Sequence, residues 1–96
     1  MFDLEKLRRF DGRVVVVTGG GQGLGELFCT AFGAAGASVV VADVVEENAA
    51  RVAEQLRDAG TNALPVVADV SDGEQAEAMV ATAMAEYGKI LSLIHI

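Results

Sequence analysis

The 96 residues contain one cysteine, one proline, one histidine and no tryptophan. The lone Cys29 cannot form an internal disulfide, so a reducing cytoplasm is the expected compartment. Cys29 also has no basic neighbour at helical spacing to lower its pKa, and His95 has no nearby partner for triad or metal chemistry. Neither is expected to be catalytic, and no metal site is expected. No apolar run approaches the roughly 20 residues of a membrane-spanning helix. The start, MFDLEKLRRFDG, lacks the apolar core of a signal peptide. Basic residues are scarce, seven against fourteen acidic ones, for a formal net charge of −7. That balance excludes a general attraction to nucleic acid or an anionic membrane, and any bound phosphate must be held locally. Repeats, low-complexity tracts and linkers are absent.

What remains is 52% hydrophobic, rich in alanine, valine and glycine, the usage of buried parallel strands packed closely under helices. A chain of this size makes one small domain with a modest core. RVVVVT, residues 13–18, is a β-branched run between Gly12 and Gly19, and predicts a strand covered on both faces. Leu24, Phe28, Ala31 and Ala35 then recur at helical spacing before Gly36, predicting a helix over 24–35. ASVVVAD, residues 37–43, predicts a second strand. Ala49, Val52, Ala53 and Leu56 predict the buried face of a second helix, weakly capped because Val45 stands at its start. ALPVVAD, residues 63–69, predicts a third strand with Pro65 near its beginning. Ser71 and Glu74 have capping-box spacing, and Ala76, Met79, Val80, Ala83 and Tyr87 share a face of a third helix ended by Gly88. Met84 is also expected to pack.

The order β-α-β-α-β-α, with a fourth strand starting at Lys89 and Ile90, implies an α/β fold. It is a partial Rossmann-like, doubly wound parallel sheet with three layers and strand order 3-2-1-(4). Ligands of such sheets sit at the carboxyl ends of the strands. The loop after Thr18, Asp43 and Asp69 should all lie on that edge.

TGGGQGLG, residues 18–25, joins the first strand to the first helix. Glycines there allow a sharp turn and a close approach of backbone N–H groups to a pyrophosphate, at the positive end of a helix dipole. The alternative is a tight turn without a ligand. The phosphate-hydrolase loop fails, because Glu26 stands where its lysine is needed, and G-x-G-x-x-G aligned on Gly19 and Gly21 fails at Leu24. T-G-x-x-x-G-x-G fits, on Thr18, Gly19, Gly23 and Gly25.

With that motif the chain resembles the short-chain dehydrogenase/reductase family over residues 10–90, and Gln22 argues against the epimerase-like branch, which has glycine at that position. The resemblance implies that Gly19, Gly23 and Gly25 form the pyrophosphate turn, with Gly21, Gln22 and Leu24 beside the cofactor. Asp43 ends the second strand, where a carboxylate can accept from both adenosine ribose hydroxyls. A 2′-phosphate near it would cost about 4 kcal/mol per unit charge pair at ~4 Å and an effective dielectric of ~20. No lysine or arginine at 20–22, 44 or 45 offsets this, so NAD is expected over NADP. A solvated carboxylate or a helix cap is the alternative role for Asp43. The resemblance further implies that Asp69 accepts from the adenine amino group and that the backbone N–H of Val70 meets a ring nitrogen. Alternatively, Asp69 starts the third helix.

The family's catalytic Y-x-x-x-K is missing: four residues after Tyr87 stands Leu91. No catalytic residue is therefore expected in this chain. The resemblance implies a longer parent: an NAD-dependent oxidoreductase, homo-oligomeric, acting on a small alcohol or ketone, with no nucleic-acid or membrane partner. The rival readings are a non-catalytic nucleotide-sensing domain and an α/β interaction module. Residues 91–96, LSLIHI, replace the asparagine- and glycine-rich segment the family has after its fourth strand. They match a translation of CTG TCT CTT ATA CAC ATC, which resembles the transposase end sequence of sequencing libraries. The expected organisation is a leader over 1–12, a family-like portion over 13–90 and a foreign end over 91–96. Being β-prone, LSLIHI is expected to lie against the first strand.

Overall fold

The structure, a computed structural model, describes residues 10–88 and 92–95. The elements are β1 (Val14–Thr18), α1 (Gly23–Ala34), β2 (Ser38–Asp43), α2 (Glu46–Asp58), β3 (Ala63–Val67), α3 (Gly73–Tyr87) and β4 (Ser92–His95). All strand pairs are parallel, and the order is β3-β2-β1-β4. The expected α/β fold and strand order hold. The leader through Arg9 and the strand start at Lys89 and Ile90 lie outside the described residues. Within LSLIHI, Ser92 to His95 run beside β1, with Ser92 opposite Val15 and His95 opposite Thr18.

β1 is buried along its whole length and β2 nearly so, which is why both read as continuous β-branched runs instead of alternating patterns. Val15, Val17, Val39 and Val41 point to the face covered by α1 and α2, where they meet Cys29, Val52, Ala53 and Leu56. Val14, Val16, Val40 and Ala42 point to the other face, against Met79 and Ala83 of α3. Each fully buried valine contributes roughly 1.5–3 kcal/mol of apolar transfer. The six valines with no exposed surface in β1 and β2 thus form the centre of the core.

Four local expectations need correction. The buried stripe of α1 runs through Gly25 and Cys29, flanked by Phe28 and Phe32, while Leu24 is exposed. The glycine loop causes this, because Gly25 seats directly on the backbone of Gly19 and Gly20 and turns the helix. The third strand ends at Val67, so Pro65 is central in it; an edge strand tolerates the missing N–H there. The N-cap of α3 is Asp72, whose carboxylate accepts from the amides of Glu74 and Gln75, and Ser71 instead turns back to Asp69. Met84 is 43% exposed and Val80 38% exposed, outside the core that Met79 and Ala83 enter. The weak start of α2 is as expected: Val45 has no side-chain cap, and Asp43 supplies the acceptor for its amide.

Candidate functional site

A cleft of about 380 Å³ opens at the carboxyl ends of β1, β2 and β3. Thr18, Gly19, Gln22, Asp43, Asp69 and Val70 line it. Three strand ends and the glycine loop therefore converge, as parallel-sheet topology requires.

The loop is shaped by two glycines at positive φ, Gly19 at 71° and Gly23 at 58°. Side chains rarely adopt this region. A Cβ added at Gly23 would meet nothing, so that position is open on its outer side. The first intrahelical bond of α1 runs from the Glu26 amide to the Gln22 carbonyl. The amides of Gly23, Leu24 and Gly25 therefore precede the helical ladder and form the positive end of the helix dipole. Gly25 lies behind the loop, where a Cβ would collide with the Gly19 carbonyl.

Asp43 is buried, 4% exposed. Its Oδ2 accepts from the Gly21 amide at 3.0 Å, and its Oδ1 accepts from the Val45 amide at 2.9 Å. A carboxylate offers about four acceptor positions, so capacity for two more donors remains. The solvated alternative for Asp43 is thereby set aside, and it is at once a loop tie and a turn acceptor. Gly21 is buried behind it, where a Cβ would stand 2.7 Å from both Asn48 Cβ and Asp43 Oδ2. Its lack of a side chain is thus demanded by the fold.

Asp69 and Val70 lie in the turn after β3, beyond the strand end expected of them. The exposed Asp69 carboxylate accepts from the hydroxyl and the amide of Ser71, at 2.6 and 3.0 Å, which hold its pKa below the ordinary 3.8. Its amide donates to Gln75 Oε1 at 2.9 Å. Asp69 therefore also organises the approach to α3. Leu24, 56% exposed, falls outside the cleft lining.

Away from the cleft, burial and then Glu26 push the Cys29 thiol up to about 12. Burial and then Glu86 also raise the Tyr87 phenol, which donates to Asn62 Oδ1 at 3.2 Å. Both shifts run opposite to nucleophile or base activation. The placement of the His95 side chain lies outside the described residues. Among the described residues no cluster of His, Cys, Asp and Glu could hold a metal ion, and no helix is long and apolar enough to cross a membrane.

Sequence reasoning missed Asn48 and Arg51 of α2. Arg51 Nη2 donates to the Gly21 carbonyl at 2.8 Å and to Glu26 Oε1 at 3.1 Å. No local signal could have revealed it, since the partner loop lies 30 residues away.

A glycine loop between a buried strand and its helix, with an acidic residue ending the next strand, defines a Rossmann-like α/β protein. The family model described as short chain dehydrogenase matches residues 13–95. The chain belongs to the short-chain dehydrogenase family. It is 40% identical over 82 residues to an uncharacterised oxidoreductase of Mycobacterium tuberculosis, covering 85% of this chain and 31% of that protein. It is 32% identical over 95 residues to the 7α-hydroxysteroid dehydrogenase of Escherichia coli, covering 99% of this chain and 37% of the enzyme. Among solved structures, a short-chain dehydrogenase/reductase of Burkholderia phymatum in complex with NAD superposes with a TM-score of 0.86 at 39% identity, over 97% of this chain and 31% of that one. The chain thus spans about a third of the length of these relatives.

Proposed function

We propose that the chain is the adenosine-binding portion of an NAD-dependent short-chain oxidoreductase. The observation that carries this reading is the buried Asp43 carboxylate at the cleft, tied to the glycine loop and keeping two acceptor positions. Those positions suit two vicinal ribose hydroxyls. Gly19 and Gln22 border the pyrophosphate and Gly23 leaves it room, Gly21 and Gly25 shape the loop from behind, and the first amides of α1, those of Leu24 and Gly25 among them, complement its charge without a lysine. Asp69 takes the adenine amino group and the Val70 amide a ring nitrogen. The open face of Gly23 and the size of the cleft fit a nucleotide. The Burkholderia protein, with NAD bound, supports the same cofactor class here.

When bound, the nicotinamide would accept or release hydride. Residues of this chain would hold the other end of the cofactor, and no catalytic residue is assigned among them. The proton-transferring groups, the pocket for a small alcohol or ketone, and homo-oligomeric assembly are assigned to the remainder of a longer parent, placed in the cytoplasm.

Titrating the folded chain with NAD tests the reading. Saturable binding is expected; an absence of saturation in a chain shown folded by circular dichroism would favour an interaction module.

A further inference from the structure

Gly21 is the last of three consecutive glycines, a stretch with maximal backbone freedom. Yet both its peptide groups are held by charged side chains from different parts of the chain. Its N–H donates to Asp43 Oδ2 at 3.0 Å, and its carbonyl accepts from Arg51 Nη2 at 2.8 Å. Asn48, one helical turn before Arg51, closes the space at its Cα. The guanidinium is shared with Glu26 Oε1 at 3.1 Å, so α1, α2 and the loop meet at one group.

We infer that Arg51 is a positioning residue for cofactor binding, fixing the glycine loop in its ligand-receiving shape. The inference rests on the dinucleotide reading given above. In a trans peptide the carbonyl and the following N–H point in opposite directions. Drawing the Gly21 carbonyl toward α2 therefore turns the Gln22 N–H away from α2, and keeps a carbonyl oxygen from facing the phosphates. Ordering the loop in the free protein also removes part of the entropy cost of binding. Arginine suits the task because the two N–H bonds of Nη2 lie at fixed angles in a rigid plane and serve two acceptors at once, which a lysine ammonium does with less directional control. The ion pair with Glu26 is partly exposed, with side chains 45% and 34% accessible, so its own stabilisation is small. The effect of Arg51 should accordingly appear in ligand affinity more than in folding.

The test uses the whole chain, with Arg51→Met and Arg51→Lys, titrated with NAD and separately with adenosine, which lacks the pyrophosphate. Urea unfolding is followed in parallel. Arg51→Met should weaken NAD about five-fold while leaving adenosine affinity and the urea midpoint nearly unchanged, and Arg51→Lys should recover part of the loss. Unchanged NAD affinity in Arg51→Met, or equal losses for NAD and adenosine, overturns the inference while the dinucleotide reading stands. A folded wild-type chain that binds neither ligand overturns both. In the free chain, hydrogen exchange at the Gly21 and Gln22 amides should speed up in Arg51→Met; unaltered exchange at both contradicts the clamp.

Discussion

Gly25→Ala sets two opposing effects against each other at one atom. Gly25 is the third residue of α1, and its φ lies outside the positive range. On helix propensity alone, alanine would be better there by about 0.8–1 kcal/mol. The added Cβ, however, would collide with the Gly19 carbonyl oxygen and stand 2.6 Å from Gly19 C and 2.9 Å from Gly20 Cα. These are backbone atoms of a loop whose φ is already committed, so relief requires α1 to move outward. Overpacking of this kind costs about 1–3 kcal/mol or more, and the net result should be a loss of about 1–2 kcal/mol. Displacing α1 also moves its first amides away from the loop, so NAD affinity should fall more than tenfold. Gly73→Ala is the control, because a Cβ there meets nothing and its φ is likewise ordinary. It should be neutral or stabilising by a few tenths of a kcal/mol. Urea midpoints and NAD titrations of the two variants decide the matter. A Gly25→Ala chain as stable as Gly73→Ala, with intact NAD affinity, would refute the close loop–helix contact as the reason for glycine.

Two further outcomes follow from the corrected details. Asp72→Ala should cost about 0.5–2 kcal/mol as loss of an N-cap, while Ser71→Ala leaves the cap bonds in place; urea unfolding showing the larger loss at Ser71 would reverse the assignment. Cys29 is buried and its thiol is pushed up to about 12, so at pH 8 a thiol reagent should label it only as fast as the chain unfolds. Rapid labelling in native buffer would contradict its burial.

Much of the fold was legible because β1 and β2 are buried on both faces, and such strands announce themselves as unbroken valine runs. The face of α2 was legible for a related reason: Ala49, Val52, Ala53 and Leu56 are the residues it buries. The face of α1 was not, because hydrophobicity pointed to Leu24 while a glycine made the contact, and periodicity counts no glycine as core. The α3 cap was misplaced by one residue because Ser71 and Asp72 are both good caps, and the bond from Ser71 to Asp69 decides between them. At the cleft, strand–loop–helix context pointed to the strand ends and the loop that converge there, with Thr18, Gly19, Gln22 and Asp43 in its lining. The second use of Asp43 as the tie on Gly21, and the reach of Arg51 across from α2, are tertiary facts with no local pattern.

The most direct test is the ratio of NAD to NADP affinity, measured on the chain and on Asp43→Asn. Repulsion between the carboxylate and a 2′-phosphate, about 4 kcal/mol per charge pair before relaxation, should leave wild type at least tenfold tighter for NAD. In Asp43→Asn the repulsion is gone, while one donor facing the amide group is left without an acceptor, costing about 1–3 kcal/mol of stability. The account predicts that NAD affinity falls and the ratio drops toward one. Comparable affinities for NAD and NADP in wild type, or a ratio unmoved by Asp43→Asn, would contradict it.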